Sequence, residues 1–245
     1  MNIAGLHKLS LLDYPEKLAA VVFTKGCNFK CGFCHNPELV LQSMNVSLER
    51  DGFSEQKFFE FLENRRSILE GVCVTGGEPL VQEDIEEFLL NIRNMGFFVK
   101  LDTNGLLFEK LKEIIEKGIV NYIAMDIKTA FEIARGREED GYRRIVGADV
   151  NIEKIKKSIR LIMGSGLNYE FRTTVVKDLH RKEDIVNIVK FIQGAKKYVL
   201  QRFEIRDKIL DDKFLHASSI KKSEAEEWKK ECEKYVEICE LRGWK

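Results

Sequence analysis

Short runs rich in valine, isoleucine and phenylalanine punctuate the chain at Leu18 to Thr24, Val72 to Thr75, Phe97 to Leu101, Tyr122 to Ile127, Tyr169 to Val176 and Tyr198 to Phe203. Runs of this length and composition, bounded by turn formers, predict six strands. The segments between them carry the helical period instead. Ile85, Phe88, Leu89 and Ile92 stand at i, i+3, i+4 and i+7; Ile152, Ile155, Ile159 and Ile162 keep a similar stripe, and Ile185, Ile188, Val189 and Ile192 repeat it. Thr75, Asp102 and Asp126, at three strand ends, are 27 and 24 residues apart. That spacing fits a strand, a helix and a right-handed return to a parallel strand, so the class is α/β. Six units fall short of a complete eight-stranded barrel. An open partial barrel and a doubly wound sheet both remain, and in either the chemistry is expected at the C-terminal ends of the strands.

Residues 3 to 20 carry Tyr14-Pro15-Glu16 between apolar stretches and are expected to form a hairpin-like lead-in of structural role. Near the other end, Ser223 with Glu226 predicts a capping box opening an amphipathic helix whose apolar positions include Trp228, Cys232 and Tyr235. No low-complexity tract or Pro/Gly linker interrupts the chain, so residues 1–245 are read as a single domain.

Composition narrows the function classes. The 40 lysines and arginines balance 40 acidic residues, which leaves no net charge to draw nucleic acid or an anionic membrane. Lys156-Lys157, Lys221-Lys222 and Lys229-Lys230 are mixed with acids and read as solvated helix faces. The longest apolar run, Leu18 to Phe23, is six residues, against about 20 for a membrane helix. The N-terminus shows no apolar segment with a small-residue cleavage site, so a cytoplasmic location with reduced cysteines is expected.

Three of the six cysteines crowd into Thr24-Lys25-Gly26-Cys27-Asn28-Phe29-Lys30-Cys31-Gly32-Phe33-Cys34-His35-Asn36-Pro37, directly after the first strand. Three thiolates on one short loop suit a compact soft-metal site. Gly26 and Gly32 give the backbone freedom to wrap it, and Lys25 and Lys30 offset part of its charge. Cys31-x-x-Cys34-His35 also matches c-type haem attachment, which belongs to exported proteins. A closed zinc site needs a fourth ligand that His35, beside Cys34, is poorly placed to give. Cys73, inside Val72 to Val74, reads as a core thiol, and Cys232 and Cys239 are read in the same way. An iron-sulfur cube on three thiolates leaves one iron open for another ligand. His7, His180 and His216 lie outside any motif and are assigned no role.

Cys27, Cys31 and Cys34, with the aromatic Phe33 just before the third, resemble the signature of the radical S-adenosylmethionine superfamily. The resemblance implies one 4Fe-4S cluster on these cysteines and S-adenosylmethionine chelating the open iron through its amino and carboxylate groups. Reductive cleavage would then give methionine and a hydrogen-abstracting 5'-deoxyadenosyl radical. A low-potential electron donor of flavodoxin or ferredoxin type is implied as well. Val74-Thr75-Gly76-Gly77-Glu78-Pro79 resembles the segment that hydrogen-bonds the methionine amino group, with Gly76 and Gly77 admitting close approach to the backbone. Asp102, Thr103 and Asn104 after the third strand, and Asp126 and Lys128 after the fourth, are expected on the same rim. There Asp102 accepts from a ribose hydroxyl or, with Thr103 and Asp126, binds a monovalent cation, as the resemblance suggests, and Lys128 meets a carboxylate. An ordinary turn-forming role stands beside each of these. Arg172 on the fifth strand is expected to face inward; Gln201 on the sixth is a weaker candidate.

Within the superfamily the chain most resembles glycyl-radical activating enzymes, above all the anaerobic ribonucleoside-triphosphate reductase activating proteins. Ser10-Leu11-Leu12-Asp13-Tyr14-Pro15, Cys34-His35-Asn36-Pro37-Glu38-Leu39, Asp102-Thr103-Asn104-Gly105, Asp126-Ile127-Lys128 and Tyr198-Val199-Leu200-Gln201-Arg202-Phe203 carry that resemblance. It implies hydrogen removal from the Cα of one glycine in a large partner enzyme. The fold to expect is a partial (β/α)6 barrel of mostly parallel strands behind the lead-in. Only Cys73 lies between Cys34 and Glu78, so a single cluster is expected. The segment Asp140 to Gly147 is expected to border a mouth admitting the protein substrate, with Tyr142 in contact with it. The alternatives are a pyruvate formate-lyase-type activating enzyme, a small-molecule radical enzyme such as 7-carboxy-7-deazaguanine synthase, and, from another class, a zinc-binding interaction module without catalysis.

Overall fold

A computed structural model describes residues 1–40, 53–131, 138–177, 179–204 and 208–244. The strands are β1 (Ile3–Ser10), β2 (Ala19–Thr24), β3 (Gly71–Gly76), β4 (Phe98–Thr103), β5 (Tyr122–Asp126), β6 (Asn168–Val175), β7 (Lys197–Arg202) and β8 (Ile238–Arg242). The helices are α1 (Pro37–Val40), α2 (Glu55–Glu63), α3 (Ile85–Asn94), α4 (Phe108–Glu116), α5 (Glu138–Val146), α6 (Ile152–Gly164), α7 (Lys182–Phe191) and α8 (Lys222–Cys232). Adjacent strands follow chain order within each part of the chain, β1 to β4 in the first and β6 to β8 in the last. The α/β class with mostly parallel strands is as the pattern predicts. All six expected strands are present, and β1 and β8 bring the number among the described residues to eight. No helix among the described residues is long and apolar enough to cross a membrane.

Two compact units divide the chain, one of Met1–Asn28, Glu38–Thr103 and Leu107–Ile123, the other of Phe29–Pro37, Asn104–Leu106 and Ala124–Lys245. In the first, β1 runs antiparallel to β2 with His7 opposite Val21, which makes the lead-in a hairpin as expected. β2, β3 and β4 are parallel, with Val21 beside Cys73 and Cys73 beside Lys100. Their near-continuous apolar reading reflects burial on both faces, as in interior parallel strands. The α3 stripe Ile85, Phe88, Leu89 and Ile92 is fully withdrawn from solvent, and Phe88 stacks on Phe58 of α2 with ring centres 5.2 Å apart. The N-cap of α2 is Ser54, whose hydroxyl accepts from the Lys57 amide at 3.2 Å.

In the second unit β6, β7 and β8 are parallel, with Phe171 beside Tyr198 and Tyr198 beside Cys239. The α6 stripe Ile152, Ile155, Ile159 and Ile162 is buried, and Asn151 caps that helix by accepting from the Glu153 amide. In α8 the buried residues are Ala225, Trp228 and Cys232. The capping box expected at Ser223 and Glu226 is absent. The helix begins two residues earlier than expected, at Lys222, with Lys221 as N-cap and no side-chain cap, so Ser223 lies inside the first turn; Tyr235 falls beyond the helix end.

Candidate functional site

The cysteine loop leaves β2 at Thr24, and its first part is fastened by main-chain hydrogen bonds within the first unit. Gly26 donates to Leu39 O at 2.6 Å, Gly77 donates to Thr24 O at 3.0 Å, and Glu78 donates to Gly26 O at 2.8 Å. The Gly-Gly-Glu turn at the end of β3 is thus zipped to the strand end that delivers Cys27. This changes the reason for its two glycines. A Cβ on Gly77 would stand 2.0 Å from Gly26 O and 3.3 Å from Cys27 Cβ; one on Gly76, at φ +128°, would stand 2.3 Å from Thr24 N. The close approach these residues permit is that of the protein's own loop. The Glu78 carboxylate, 1% exposed, accepts from the Leu80 amide at 3.2 Å and from the Thr103 hydroxyl at 2.8 Å, so it joins the ends of β3 and β4.

Cys27 is half-buried and borders a cavity of about 910 Å³ whose lining includes Lys25, Asn28, Gln82 and Asp84. Neither Gly76, Gly77 nor Asp102 lines it, so this cavity does not gather the expected cofactor residues. Asp102 is engaged within its own sheet, where it pairs with Lys100 of the same strand.

The second part of the loop belongs to the other unit and is held by aromatic anchors. Phe29 meets Tyr142 edge-on with ring centres 6.5 Å apart, and Phe33 meets Phe214 edge-on at 6.1 Å. Both loop phenylalanines are buried. A Cβ on Gly32 would stand 2.5 Å from the Phe214 ring, so glycine here lets that ring cover the loop. Lys30 donates to Val146 O at 2.7 Å, and a Cβ on Gly147, at φ +61°, would stand 2.5 Å from Lys30 O. Cys34 donates to Cys31 O at 2.9 Å, closing the Cys-x-x-Cys turn. His35 stacks on Phe203 at 5.2 Å.

The expected placement of Asp140 to Gly147 at a substrate mouth is therefore corrected at Tyr142. That side chain is 0% exposed, lies flat on Phe131 at 5.7 Å, and accepts from the Lys128 amide at 3.2 Å. Its segment packs beneath the cysteine loop because the tyrosine ring is core.

Asp126, at the end of β5, is gripped by Lys128 Nζ at 2.9 Å and Arg172 Nε at 2.8 Å. Burial alone would raise its carboxyl, but the two cations outweigh that and hold it well below the usual carboxylate range. Lys128 is likewise raised, its burial outweighed mainly by Asp126. Arg172 also lies 3.9 Å from Glu170, a carboxylate 1% exposed that Arg242 of β8 grips at 3.1 Å from two nitrogens. Asn104 is buried and caps its own turn by accepting from the Leu106 amide at 3.0 Å. His180, also buried, accepts from the Val176 amide at Nδ1 and donates to Lys128 O from Nε2.

The structure thus brings Asp126, Lys128 and Arg172 together, and joins Gly76, Gly77 and Glu78 to the strand end before Cys27. Sequence reasoning missed Lys100, Glu170, Arg242 and the packing of Tyr142. The one signal available was Lys100 itself, a lysine inside the apolar strand Phe97 to Leu101. Cys73 is core as expected, but its sulfur also lies 3.5 Å from the Lys100 ammonium.

All six cysteines are thiols with no disulfide. Burial pushes the Cys31 thiol up to about 11, with Lys128 acting in the opposite sense. Among the described residues no three His, Cys, Asp or Glu side chains gather tightly enough for a single metal ion. A cubane takes one thiolate at each of three irons, a wider spacing than one small ion demands. Three soft sulfur donors on an anchored glycine loop fit such a cluster in number and kind.

The profile of the Radical SAM superfamily matches residues 21–192. A protein of Methanocaldococcus jannaschii, named as a glycyl-radical enzyme activating enzyme, is 31% identical over 245 residues, covering 98% of this chain and 95% of its own. The pyruvate formate-lyase-activating enzyme of Clostridium pasteurianum is 27% identical over 210 residues, covering 81% and 80%. Among solved structures, Streptococcus suis SuiB bound to S-adenosylmethionine superposes with a TM-score of 0.66 at 14% identity, over 89% of this chain and 48% of that one. That likeness shows the fold.

Proposed function

The chain belongs to the radical SAM superfamily, among its glycyl-radical enzyme activating enzymes, and from that premise we propose that it installs the glycyl radical of an anaerobic ribonucleoside-triphosphate reductase. In this reading Cys27, Cys31 and Cys34 hold one 4Fe-4S cluster. When bound, the cluster and S-adenosylmethionine would supply the 5'-deoxyadenosyl radical that takes a hydrogen atom from the glycine Cα. The protein's own work is to hold and shield. The carbonyl oxygens of Gly76 and Gly77 suit the ammonium of the methionine moiety, and Glu78 fixes their turn through its bonds to Thr103 and Leu80. Asp102 suits a ribose hydroxyl. Lys128 and Arg172, fixed by Asp126, present positive charge beside the end of β5 for a carboxylate. Phe33 and Asn104 keep the cysteine loop and the β4 turn in place around the nucleoside. A flavodoxin- or ferredoxin-type protein supplies the electron, in the cytoplasm.

The observation that carries this reading is the fastening of the Gly-Gly-Glu turn to the backbone immediately before Cys27, through Glu78 and Gly77. It places the two motifs of the resemblance in hydrogen-bonded contact. The likeness to the clostridial enzyme favours a second reading, in which the partner is a pyruvate formate-lyase. One experiment addresses both. Reduced, reconstituted protein is incubated with S-adenosylmethionine and each candidate partner, and a glycine-centred doublet is sought by electron paramagnetic resonance. A doublet with the reductase supports the first reading and one with the lyase alone the second. Deoxyadenosine release without any doublet overturns both in favour of a small-molecule substrate.

A further inference from the structure

We infer that Lys100 is the resident counter-ion of Asp102 and stands in for the exchangeable monovalent cation that the family resemblance suggested. The Lys100 side chain is 2% exposed, its ammonium pairs with the Asp102 carboxylate, and it lies 3.5 Å from the Cys73 sulfur. Cys73 is the register neighbour of Lys100 across β3 and β4, and its thiol lies 3.7 Å from the same Asp102 oxygen. Three side chains on two adjacent strands thus set a fixed positive charge against the carboxylate. A lysine so buried is held by opposite charge. By the same electrostatics, a sodium or potassium ion at this carboxylate would have to sit beside an ammonium that cannot withdraw into water.

The other residues expected around such an ion are engaged too. The Thr103 hydroxyl donates to Glu78, and Asp126 lies between Lys128 and Arg172. The residues present do not fit an exchangeable cation. Lys100 is a positioning residue that orients the Asp102 carboxylate. The inference leans on the proposed function only for what Asp102 then meets; the replacement of the ion by the ammonium stands without it.

The test compares thermal midpoint and S-adenosylmethionine affinity of the full-length reconstituted protein in sodium, potassium, ammonium and tetramethylammonium chloride, each at about 100 mM so that screening is constant. Wild-type protein is expected to show a midpoint constant within about 1 °C and a dissociation constant constant within about twofold across the four salts. Lys100→Met, which keeps the aliphatic stem and leaves Asp102 without its ammonium, is expected to melt lower. Potassium or ammonium should then raise its midpoint saturably and tighten cofactor binding about fivefold or more. A saturable response of the wild-type midpoint to sodium or potassium overturns the inference, as does a folded Lys100→Met indifferent to all four salts. Should that variant not fold, Lys100→Met/Asp102→Asn removes both charges and is expected to fold without a cation response; a response there also overturns it. The midpoint requires no bound cofactor, so a protein that failed to bind S-adenosylmethionine would count against the proposed function and leave this test intact.

Discussion

Replacing Gly77 by alanine isolates the contact on which the site is built. The new methyl carbon would stand 2.0 Å from Gly26 O and 2.7 Å from the carbon that bears it, both main-chain atoms with no rotamer to change. Relief requires the end of β3 and the backbone before Cys27 to part by more than an ångström. That separation strains two hydrogen bonds, Gly77 to Thr24 O at 3.0 Å and Glu78 to Gly26 O at 2.8 Å. Two such bonds contribute about 1–3 kcal/mol, and the overpacking adds about 1–3 kcal/mol, so a loss near 4 kcal/mol is expected. For a chain of this size that lowers the melting midpoint by about 8–16 °C. Gly164, the last residue of α6, is the control. A Cβ there meets nothing within 4 Å, so Gly164→Ala should be neutral or stabilise by about 0.5–1 kcal/mol. The assay is calorimetry of both variants beside iron and sulfide content after anaerobic reconstitution. Gly77→Ala is expected to melt low and load poorly, with every cysteine still present. A Gly77→Ala protein that melts with wild type and loads the same iron would refute the account of the turn.

Two further substitutions probe the second unit. Glu170→Gln removes the carboxylate that Arg242 grips from two nitrogens and that lies 3.9 Å from both Arg172 and Lys197. Breaking a fully buried pair costs roughly 3–5 kcal/mol, and because Arg242 is 39% exposed the expected loss is about 2–3 kcal/mol by urea unfolding; an unchanged midpoint would show that β8 is held by packing alone. His180 is neutral in the fold, its protonation depressed first by burial, and its Nδ1 accepts from the Val176 amide. The unfolded chain takes up the proton more readily, so the stability this residue contributes is complete above about pH 6.5 and falls as pH drops below it, by at most about 1.4 kcal/mol per pH unit. Urea midpoints between pH 7.5 and 5.5 should show that slope in the wild type and a shallower one in His180→Gln; equal slopes would assign the titration elsewhere.

What the sequence made legible follows from what hydrophobic periodicity reports, namely which faces are buried. β2 to β7 are mostly interior parallel strands and read as apolar runs, and the stripes of α3, α6 and α7 are buried as their spacing demands. β8 escaped because Ile238 to Arg242 is short, carries Glu240 and Arg242, and buries only Cys239 closely. Periodicity is silent about partners. Glu170 and Arg242 are 72 positions apart, and only the β6 to β8 neighbourhood explains why both charges lie there. Lys100 was hidden by the ordinary expectation that lysine is solvated, which fails where a carboxylate two residues along the same strand face holds the ammonium. Tyr142 was misplaced because its segment lies in the long gap between the fourth and fifth predicted strands, while its own ring is core.

The proposed ligands were the legible part of the candidate site, because Cys-x3-Cys-x2-Cys crowds three thiols into one short loop. Their support was not legible, and it differs between the two parts of the loop. Before Cys27 the chain is held by main-chain hydrogen bonds that only glycines permit, at Gly76 and Gly77. From Phe29 to Cys34 it is held by rings, with Phe29 on Tyr142 and Phe33 on Phe214, and by the Val146 carbonyl beneath Lys30. A loop proposed to present three thiolates to a cluster gains from being ordered before the cluster arrives, since disorder removed in advance is not charged against binding. Substitutions at Gly77 or Tyr142 should therefore weaken cluster loading with all three thiols intact, whereas loss of a thiol should abolish it with the loop still anchored. Two structurally different defects would thus reach the same empty site, and iron content measured beside thermal stability separates them: the first lowers both, the second lowers iron alone.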